Sequence, residues 1–505
     1  MSENLFETLH EAFAPRIDNA FLRPPDGEAV SYRAAAGRSA AFAATLRSAG
    51  VRTGDRVVVQ VEKSPDAIAL YLACLRAGAV YIPLNVAYTA DEVSYYLSDA
   101  TPSLLVCRPD DEARLGATAR QQGVERIHTL GTTGDGTLPT EAASHPPFES
   151  VEPRAASDLA AMLYTSGTTG KPKGARITHE NLAANARALF QTWGWRADDV
   201  LLHALPVFHV HGLFVALHCA MLGGSAVEFL PRFEVGVVRR ALPRSTVMMG
   251  VPTYYRRLLD ESDFGRGDCA HMRIFISGSA PLPETVFRAF AERTGHTVLE
   301  RYGMTETGIL TSNPLDGTRI GGTVGYPLPS VELRVVGDDR RPPGPGEAGG
   351  VEVRGPGVFS GYWNNPEKTR AEFRGDGFFR TGDLGVLSED GRLTLVGRSS
   401  DMIISGGYNV YPKEIELFLD ELPGVTESAV VGLPHPDFGE AVTAFVVRDG
   451  EAPAEPEIRA ALDGRLARFK HPKRVFFVDS LPRNAMGKIQ KAELRRVYAA
   501  TFDEA

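Results

Sequence analysis

The chain has 505 residues, of which 43% are apolar and 23% charged, proportions typical of a globular protein and not of bulk disorder. The formal net charge of −9 argues against nucleic acid as the main partner, because duplex-binding proteins carry a basic face. No apolar run reaches the ~20 residues of a membrane helix, and the acidic stretch 1–7 does not resemble a targeting peptide. We therefore expect a cytoplasmic protein with neither nucleic-acid nor membrane partners.

The number and spacing of the cysteines also indicate a cytoplasmic protein. The sequence contains four, too few for a secreted disulfide framework and too far apart for a metal or redox pair: Cys74, Cys107, Cys219 and Cys269. We predict reduced thiols.

From residue 55 to about 311, short β-branched runs alternate with amphipathic stretches, a pattern typical of parallel strands joined by crossover helices. The predicted strands are 56–61, 104–107, 160–164, 200–203, 226–230, 246–250, 273–277 and 297–300. The predicted helices are 65–78, 180–193, 235–242 and 283–294.

The pattern changes after Pro314 to short strands between turn-rich segments, which predicts a smaller β-rich unit. From about residue 401 a mixed pattern follows, with predicted elements at 412–422, 428–432, 441–447, 455–467 and 474–478. We therefore predict an α/β fold with two domains. A large domain, 1–400, combines doubly wound αβαβα-type subdomains with a β-rich subdomain, and a small α+β domain, 401–505, follows.

The strongest motif is the loop at 164–174, which follows a predicted strand and precedes the predicted helix 180–193. Its glycines allow backbone N–H groups to point inward, and its hydroxyls and lysines add donors and positive charge, so it is suited to wrapping phosphates. The glycine spacing differs from that of a Walker A loop. The alternative is a polar surface loop with no ligand.

Two clusters follow predicted strands, at the edge where open α/β sheets bind ligands. The small residues at 277–281 can accommodate a flat ring, although a tight turn would look the same. In the cluster 300–307, a carboxylate suits Mg²⁺ and Arg301 offers a fork for carboxylate or phosphate, the alternative being a surface charge. Later, Asp383 follows a glycine turn and Lys488 lies in a flexible loop, where a solvated lysine is the alternative.

Taken in order, these strings resemble the acyl-adenylate-forming superfamily over about residues 32–491. The motifs that carry the resemblance are 164–174, 205–209, 277–280, 302–306, 381–383, 397–398, 406–412 and 482–488. Within the superfamily the chain is most similar to malonyl-CoA synthetases, on the strings 203–206, 209–214, 249–253, 275–282 and 300–307.

The resemblance implies an ATP-dependent, AMP-forming ligase that activates malonate as an acyl-adenylate and transfers it to coenzyme A. It implies ATP, Mg²⁺ and coenzyme A as cofactor and substrates, with Lys488, Glu306 and Thr165 as catalytic residues and the latter two holding the metal. The residues implied to bind ATP or AMP are Thr165, Ser166, Gly167, Thr168, Thr169, Gly170, Lys173, Gly278, Ser279, Ala280, Glu300, Arg301, Tyr302, Gly303, Met304, Thr305, Asp383 and Arg398.

The second carboxylate of malonate must be paired if it is buried. The candidates to pair it are Arg301, Arg257 and His209. The resemblance further implies a hinge at Asp401 and a tunnel for coenzyme A beside Ser405, Gly406 and Gly407.

The stretch 308–310 departs from the expected pattern and leaves methylmalonate open as a substrate. Acylation of Lys488 by a lysine acyltransferase would remove the charge that the first step needs. The alternatives are a coenzyme A ligase for a short monocarboxylic or aryl acid, a stand-alone adenylation protein that loads a carrier protein, and a nucleotide-binding protein without turnover.

Overall fold

The structure is a computed structural model that describes residues 2–165, 172–337, 339–344, 346–449, 453–463, 465–484 and 488–502. Up to residue 178 the elements are α1 (Leu5–Phe13), β1 (Ala20–Arg23), β2 (Val30–Ser31), α2 (Tyr32–Ser48), β3 (Arg56–Gln60), α3 (Pro65–Arg76), β4 (Val80–Pro83), α4 (Ala90–Ala100), β5 (Leu104–Cys107), α5 (Glu112–Gln121), β6 (Ile127–Thr129), α6 (Thr137–Ala142), β7 (Leu159–Thr165) and β8 (Lys173–Thr178).

The middle of the chain continues the alternation. Its elements are α7 (His179–Thr192), β9 (Val200–His203), a π-helix (His211–Ala216), α8 (Leu217–Gly223), β10 (Ala226–Phe229), α9 (Val235–Ala241), β11 (Val247–Gly250), α10 (Pro252–Asp260), β12 (Ile274–Ser277), α11 (Glu284–Thr294), β13 (Leu299–Met304), β14 (Gly308–Ser312) and β15 (Tyr326–Pro327).

The remainder forms two smaller groups of elements. They are β16 (Glu332–Val336), β17 (Gly349–Arg354), α12 (Pro366–Glu372), β18 (Phe379–Leu387), β19 (Leu393–Arg398), β20 (Ile403–Ser405), β21 (Tyr408–Val410), α13 (Pro412–Asp420), β22 (Val425–His435), β23 (Gly439–Arg448), α14 (Glu455–Leu462), β24 (Arg474–Val478) and α15 (Lys491–Val497).

Two large sheets form the α/β part. The first has the order β6-β5-β3-β4-β7-β8 and is parallel except at β8. The second has the order β15-β14-β13-β12-β11-β9-β10-β1-β2, with parallel pairing from β1 through β13. The central strands β11 and β12 are buried along their whole length, which is why their sequences are continuous apolar runs.

Alternate residues of the central strands enter different cores, which defines the layers. Val57 and Val59 pack into the largest core, whereas Val58 packs on the other face of its sheet with α4 and α5. In the second sheet, Met249 faces the largest core and Met248 faces a separate one with α9, α10 and α11. Helices therefore lie outside and between the sheets, and the predicted αβαβα arrangement is confirmed.

The β-rich unit is also confirmed. The strands β16-β17-β18-β19 form an antiparallel sheet. The sheet β21-β20-β23-β22, with β24 beside β23, follows, and its two cores contain only residues from 403 onward. The boundary between residues 400 and 401 stays a prediction.

Three local predictions were wrong. The loop at 164–174 does not join a strand to a helix, because β8 begins at Lys173 and pairs antiparallel with β7. The cluster 300–307 does not follow a strand but lies in β13 and the turn to β14. In that hairpin a Cβ on Gly303 would lie 2.1 Å from the Gly308 carbonyl oxygen, so only glycine fits. The helix predicted over 455–467 is shorter and ends at Leu462, since Asp463 adopts an extended conformation.

All four cysteines are free thiols and are buried. Across the described ranges, no helix is both long and apolar enough to span a bilayer.

Candidate active site

A carboxylate site lies between β7 and the turn after β13. Glu306 is buried, and its Oε1 atom accepts hydrogen bonds from the hydroxyls of Thr165 and Tyr362, each at 3.1 Å. Burial raises the pKa of Glu306, while its own backbone N–H, Thr165 and Tyr362 act in the opposite direction. The packing of these elements thus brings Thr165 and Glu306, the two residues predicted to hold a metal, into contact.

The donor set fits Mg²⁺, which binds oxygen ligands and usually takes only one or two carboxylates beside substrate phosphates. Thr165 and Glu306 provide a hydroxyl and a carboxylate in contact. Within the described part of the chain no group of three or more His, Cys, Asp or Glu side chains is placed to hold a metal. A metal at this site would therefore take its remaining ligands from substrate or water.

A second acidic group lies on the β-rich sheet. Asp383 on β18 is paired in register with Arg398 on β19, and the Arg398 Nε atom lies 3.0 Å from Asp383 Oδ1. The Tyr302 hydroxyl donates to Asp383 Oδ2 at 2.5 Å. This carboxylate raises the pKa of Arg398. Asp383 is thereby fixed in orientation between Tyr302 and Arg398.

Arg301 lies on β13 and is the most unusual cation of the site. Its side chain is buried, yet its Nε and Nη2 atoms have no hydrogen-bond partner among the described residues. A Cβ on Gly278 would lie 2.3 Å from the Arg301 Cζ atom, so any larger residue at this position would displace the guanidinium. Desolvation lowers the pKa of Arg301 to about 10, which leaves it positively charged at neutral pH. Unpaired buried donors of this kind are expected to meet an anionic ligand.

Two histidines, His209 and His211, lie within the electrostatic influence of Arg301. Desolvation lowers the pKa of His209 to about 4, and the charge of Arg301 acts in the same direction. His211 is buried, its pKa is lowered by the same two causes, and its Nδ1 atom lies 3.2 Å from the Ser279 hydroxyl. The His211 backbone N–H donates to His209 Nδ1 at 3.2 Å. Both rings are therefore neutral beside Arg301 at physiological pH.

The neighbouring turn after β12 is strained. Ser279 has a φ of +71°, a conformation that costs energy for a non-glycine residue and is concentrated at functional sites. Glu300 lies beside it, fully desolvated, with Oε1 accepting from the Leu282 N–H at 2.8 Å, while Oε2 has no hydrogen-bond partner in the described part of the chain. Burial raises the pKa of Glu300 to about 8. This turn and Glu300 border the surface predicted to bind adenine with Gly278 and Ala280.

The small C-terminal unit contributes Lys488. The residue is exposed, but the cleft desolvates its ammonium group and lowers its pKa, with the charge of Arg398 acting in the same direction and Asp383 and Asp401 opposing. Lys488 therefore lies close to the Asp383–Arg398 pair of the large domain. Asp401 is held by an ion pair with Arg495 on α15 at 2.9 Å.

The glycine pair of the predicted tunnel lies elsewhere on the small unit. Gly406 and Gly407 are exposed and have φ angles of +58° and +82°, which favour glycine. The Gly406 N–H donates to the Phe438 carbonyl at 2.9 Å, and Ser405 is buried beneath. The pair thus forms an exposed turn at the β20–β21 hairpin.

The structure brings most of the predicted residues together but not all. Arg257 is exposed on α10, apart from the buried Arg301. The predictions for Ser166, Gly167, Thr168, Thr169 and Gly170 lie outside the described residues. Lys173, Gly303, Met304 and Thr305 are partly buried along β8, β13 and the following turn. The roles assigned to all of these residues stay predictions.

Sequence reasoning missed three side chains of the site. They are Lys63, His211 and Tyr362. Lys63 follows β3 at the carboxyl edge of its sheet, a position where ligands bind in open α/β folds, so its place after a buried strand was the signal. Tyr362 had no such signal, because it reaches Glu306 only through tertiary packing.

Comparisons with known proteins agree with this geometry. The sequence matches the AMP-binding enzyme family over residues 10–363 and the AMP-binding enzyme C-terminal domain over 414–488. It is 37% identical to the malonate–CoA ligase of Arabidopsis thaliana, over 88% of this chain and 78% of that protein. It is 36% identical to a feruloyl-CoA synthase of Amycolatopsis, over 94% of each chain.

A solved structure is closer still. ATP-bound MatB from Rhodopseudomonas palustris superposes with a TM-score of 0.96 at 48% identity, over 99% of this chain and 100% of that one. The matched family spans well over half of the chain, and both of its parts occur in the expected order. The chain belongs to the AMP-binding enzyme family.

Proposed function

We propose that the protein is an ATP-dependent, AMP-forming malonate–CoA ligase. The observation that carries the proposal is the buried guanidinium of Arg301, whose Nε and Nη2 atoms have no hydrogen-bond partner among the described residues, beside the neutral His209 and His211. A site for a monocarboxylate has no use for a desolvated cation in its acid pocket, whereas the second carboxylate of a diacid would pair with it. The similarity to the malonate–CoA ligase of Arabidopsis supports the same substrate.

The first step joins two anions. A carboxylate oxygen of malonate attacks the α-phosphorus of ATP, a P–O bond to the β-phosphate breaks, and pyrophosphate leaves with the electron pair. Repulsion between these charges is the barrier, so positioned cations should provide most of the catalysis. Lys488 supplies an ammonium that bridges the attacking carboxylate and the α-phosphate, and Asp383 with Arg398 orients the ribose.

Thr165 and Glu306 would hold Mg²⁺ at this site. When bound, Mg²⁺ neutralises the charge of the departing pyrophosphate. The contact between the Thr165 hydroxyl and Glu306 supports this assignment. Lys173 and the loop before it, residues 165–170, bind the β- and γ-phosphates.

The second step transfers the malonyl group to the thiol of coenzyme A, with AMP as the leaving group. In our proposal the small domain, 401–505, rotates about Asp401, withdraws Lys488 and brings Gly406 and Gly407 to the pantetheine tunnel. The ion pair between Asp401 and Arg495 ties the proposed hinge residue to α15 of the small domain. Residues 1–400 remain as one body that retains the adenylate.

Two finer assignments belong to the same proposal. We place the enzyme in the cytoplasm. We also propose that a lysine acyltransferase can switch it off by neutralising Lys488, whose lowered pKa increases the fraction of reactive amine. Mass spectrometry of protein isolated from cells, together with recovery of activity by a deacylase, tests this assignment.

A second candidate function is a ligase for an aryl or short monocarboxylic acid. The 36% identity to a feruloyl-CoA synthase favours it. The pocket opposes it, because desolvating Arg301 against an aromatic acid would leave its donors unpaired. Substrate choice between malonate and methylmalonate turns on the space beside Gly308.

A panel of acids tests the proposal. Acetate, propionate, benzoate, ferulate, malonate and methylmalonate are each supplied with ATP, Mg²⁺ and coenzyme A, and the thioester is quantified. We expect malonate to give the highest kcat/KM and the monocarboxylates to lie at least about tenfold below it, since each charge-assisted bond is worth about 1.5–3 kcal/mol. A monocarboxylate that exceeds malonate overturns the substrate assignment. Transfer to a carrier protein but not to coenzyme A overturns the ligase assignment.

A further inference from the structure

Lys63 lies where the two large sheets meet and has no role in the chemistry above. It follows β3 of the first sheet, just before the Ser64 cap of α3. Its Nζ atom donates to the Nδ1 atom and the carbonyl oxygen of His203, at 2.7 and 2.9 Å, and to the Leu205 carbonyl oxygen at 3.0 Å. The three polar contacts of the Lys63 amino group are thus all made to the end of β9 and the residues just after it in the second sheet.

The contact continues through the histidine ring. Because His203 Nδ1 accepts from Lys63, its Nε2 atom carries the proton and donates to the Gly212 carbonyl oxygen at 2.9 Å. Gly212 lies in the first turn of the π-helix, a form often found at functional sites. Lys63 and His203 therefore tie both ends of the segment 203–212 to one point.

The segment between these ends is closely packed. A Cβ on Gly212 would lie 2.1 Å from the Pro206 carbonyl oxygen, so the turn folds back on itself without spare room. His209 and His211 are carried by this turn, and both rings experience the charge of Arg301. The placement of the acid pocket's histidines thus depends on the turn, and the turn on Lys63.

The partners of Lys63 are all neutral. They are an imidazole, two carbonyls and the face of Phe229, whose centroid lies 4.4 Å from Nζ. A desolvated ammonium without a carboxylate is costly, and an apolar side chain of similar length would fill the same space at lower cost. Only a lysine can contact all three acceptors here from a single nitrogen atom.

We propose that Lys63 is a positioning residue for the acid substrate: it fixes the His203–Gly212 turn so that His209 and His211 face Arg301. The inference rests on the proposed function only for the identity of the acid. It assigns Lys63 to acid recognition and to neither ATP binding nor thioester formation.

The test is a kinetic comparison of Lys63→Met with wild type, using malonate, or the best acid of the panel if that is another. We expect the KM for the acid to rise at least about tenfold, the loss of one or two charge-assisted bonds. The KM for ATP and the rate of thioester formation from supplied acyl-adenylate should stay within about twofold of wild type. An unchanged acid KM, or an equal rise in both KM values, overturns the inference. Failure of malonate in wild type affects only the proposed function.

A double-mutant cycle tests the route of the effect. If Lys63 acts through the turn, Lys63→Met should raise the acid KM less in a His209→Ala background than in wild type, since residues that act as a unit are not additive. Full additivity overturns the inference.

The matched control is Arg76→Met at the far end of α3. Arg76 is also a buried cation that donates to backbone carbonyls, including that of Glu149 at 2.7 Å. We expect this control to reduce thermal stability but leave the acid KM unchanged.

Lys63→Arg keeps the inference testable if the methionine variant does not fold. A planar guanidinium keeps the charge but cannot direct three donors from one atom. We expect the arginine variant to fold and to raise the acid KM at least about threefold, which corresponds to losing part of the ~1.5–3 kcal/mol of a charge-assisted bond. An arginine variant with wild-type acid KM overturns the inference.

Discussion

The acid pocket and the interdomain cleft hold cations of opposite character. Arg301 is buried on a central strand, 5% exposed, and is held in place by packing against Gly278. Lys488 is exposed on a loop of the small unit and is surrounded by the charges of Asp383, Arg398 and Asp401. The first cation is fixed by a core, whereas the second lies on an exposed part of the small unit among charged groups.

The difference matches the two tasks of a two-step ligase. Selecting a diacid requires a cation that does not move, because pairing energy is lost when geometry is loose. Leaving the site after adenylation requires a cation whose contacts can be exchanged for water at little cost, as surface ion pairs can. Mutations should therefore be able to change the choice of acid without changing the transition between the two half-reactions, and the reverse.

The largest expected effect is that of Lys488→Ala. Removing the ammonium leaves the attacking carboxylate and the α-phosphate without their shared cation, so adenylate formation should fall by at least about 10³-fold. Thioester formation from supplied malonyl-adenylate should stay within about threefold, since Lys488 is withdrawn in that step. Pyrophosphate release and thioester formation are measured separately. Equal loss in both would mean that the two regions are not separable.

The Arg301→Met substitution tests the acid pocket, the first of the two regions compared. Methionine fills much of the arginine volume but cannot pair a carboxylate, so kcat/KM for malonate should fall about 10- to 150-fold, the equivalent of ~1.5–3 kcal/mol. The KM for ATP should change less than about threefold. The preference for malonate over propionate is the sharpest readout and should shrink or invert. Wild-type malonate kinetics would remove Arg301 from the pocket.

The Asp401→Pro substitution should slow only the second half-reaction, which is thioester formation. Proline fixes φ, so a hinge at this residue could not turn, and thioester formation should slow by about tenfold while adenylation persists. The matched control is Arg495→Met, which removes the Asp401 ion pair but leaves the backbone free. A control that slows the second step as much as proline would assign the effect to the ion pair and not to the hinge.

Much of this fold could be predicted because its signals are local. The strand at 104–107 and that at 200–203 have the bounds predicted from their apolar runs, since a strand buried on both faces must be continuously apolar. The helix over Pro65–Arg76 begins at a proline and ends just before Gly78, as its sequence indicates. Fold class follows from such alternation without knowledge of contacts.

The parts of the site that could not be predicted from local sequence patterns are contacts between residues that lie far apart in the chain. The β8 strand was missed because Lys173 to Thr178 looks like a continuation of the phosphate loop, and only pairing with β7 makes it a strand. The pairing of Thr165 with Glu306 joins residues 141 positions apart, and only the family resemblance, not the local sequence pattern, predicted it. No pattern in the sequence indicated Lys63 as a partner of His203, because the two lie in different sheets.

The smallest expected effect is on pH dependence, and it separates the two regions without mutation. Arg301 keeps its charge because its pKa is about 10, and His209 stays neutral because its pKa is about 4, so the KM for malonate should vary less than about twofold between pH 6 and 7, below the pKa of about 8 of the neighbouring Glu300. The pKa of Lys488 lies below the usual lysine value. Its active ammonium form is therefore complete at low pH and is lost as pH rises through that lowered pKa, so adenylation should decline on the alkaline side before a free lysine would titrate. Thioester formation from supplied adenylate serves as the control and should not share this decline. A KM for malonate that changes near pH 6.5 would show that a pocket histidine titrates and that the acid pocket is not the fixed, desolvated site its geometry indicates.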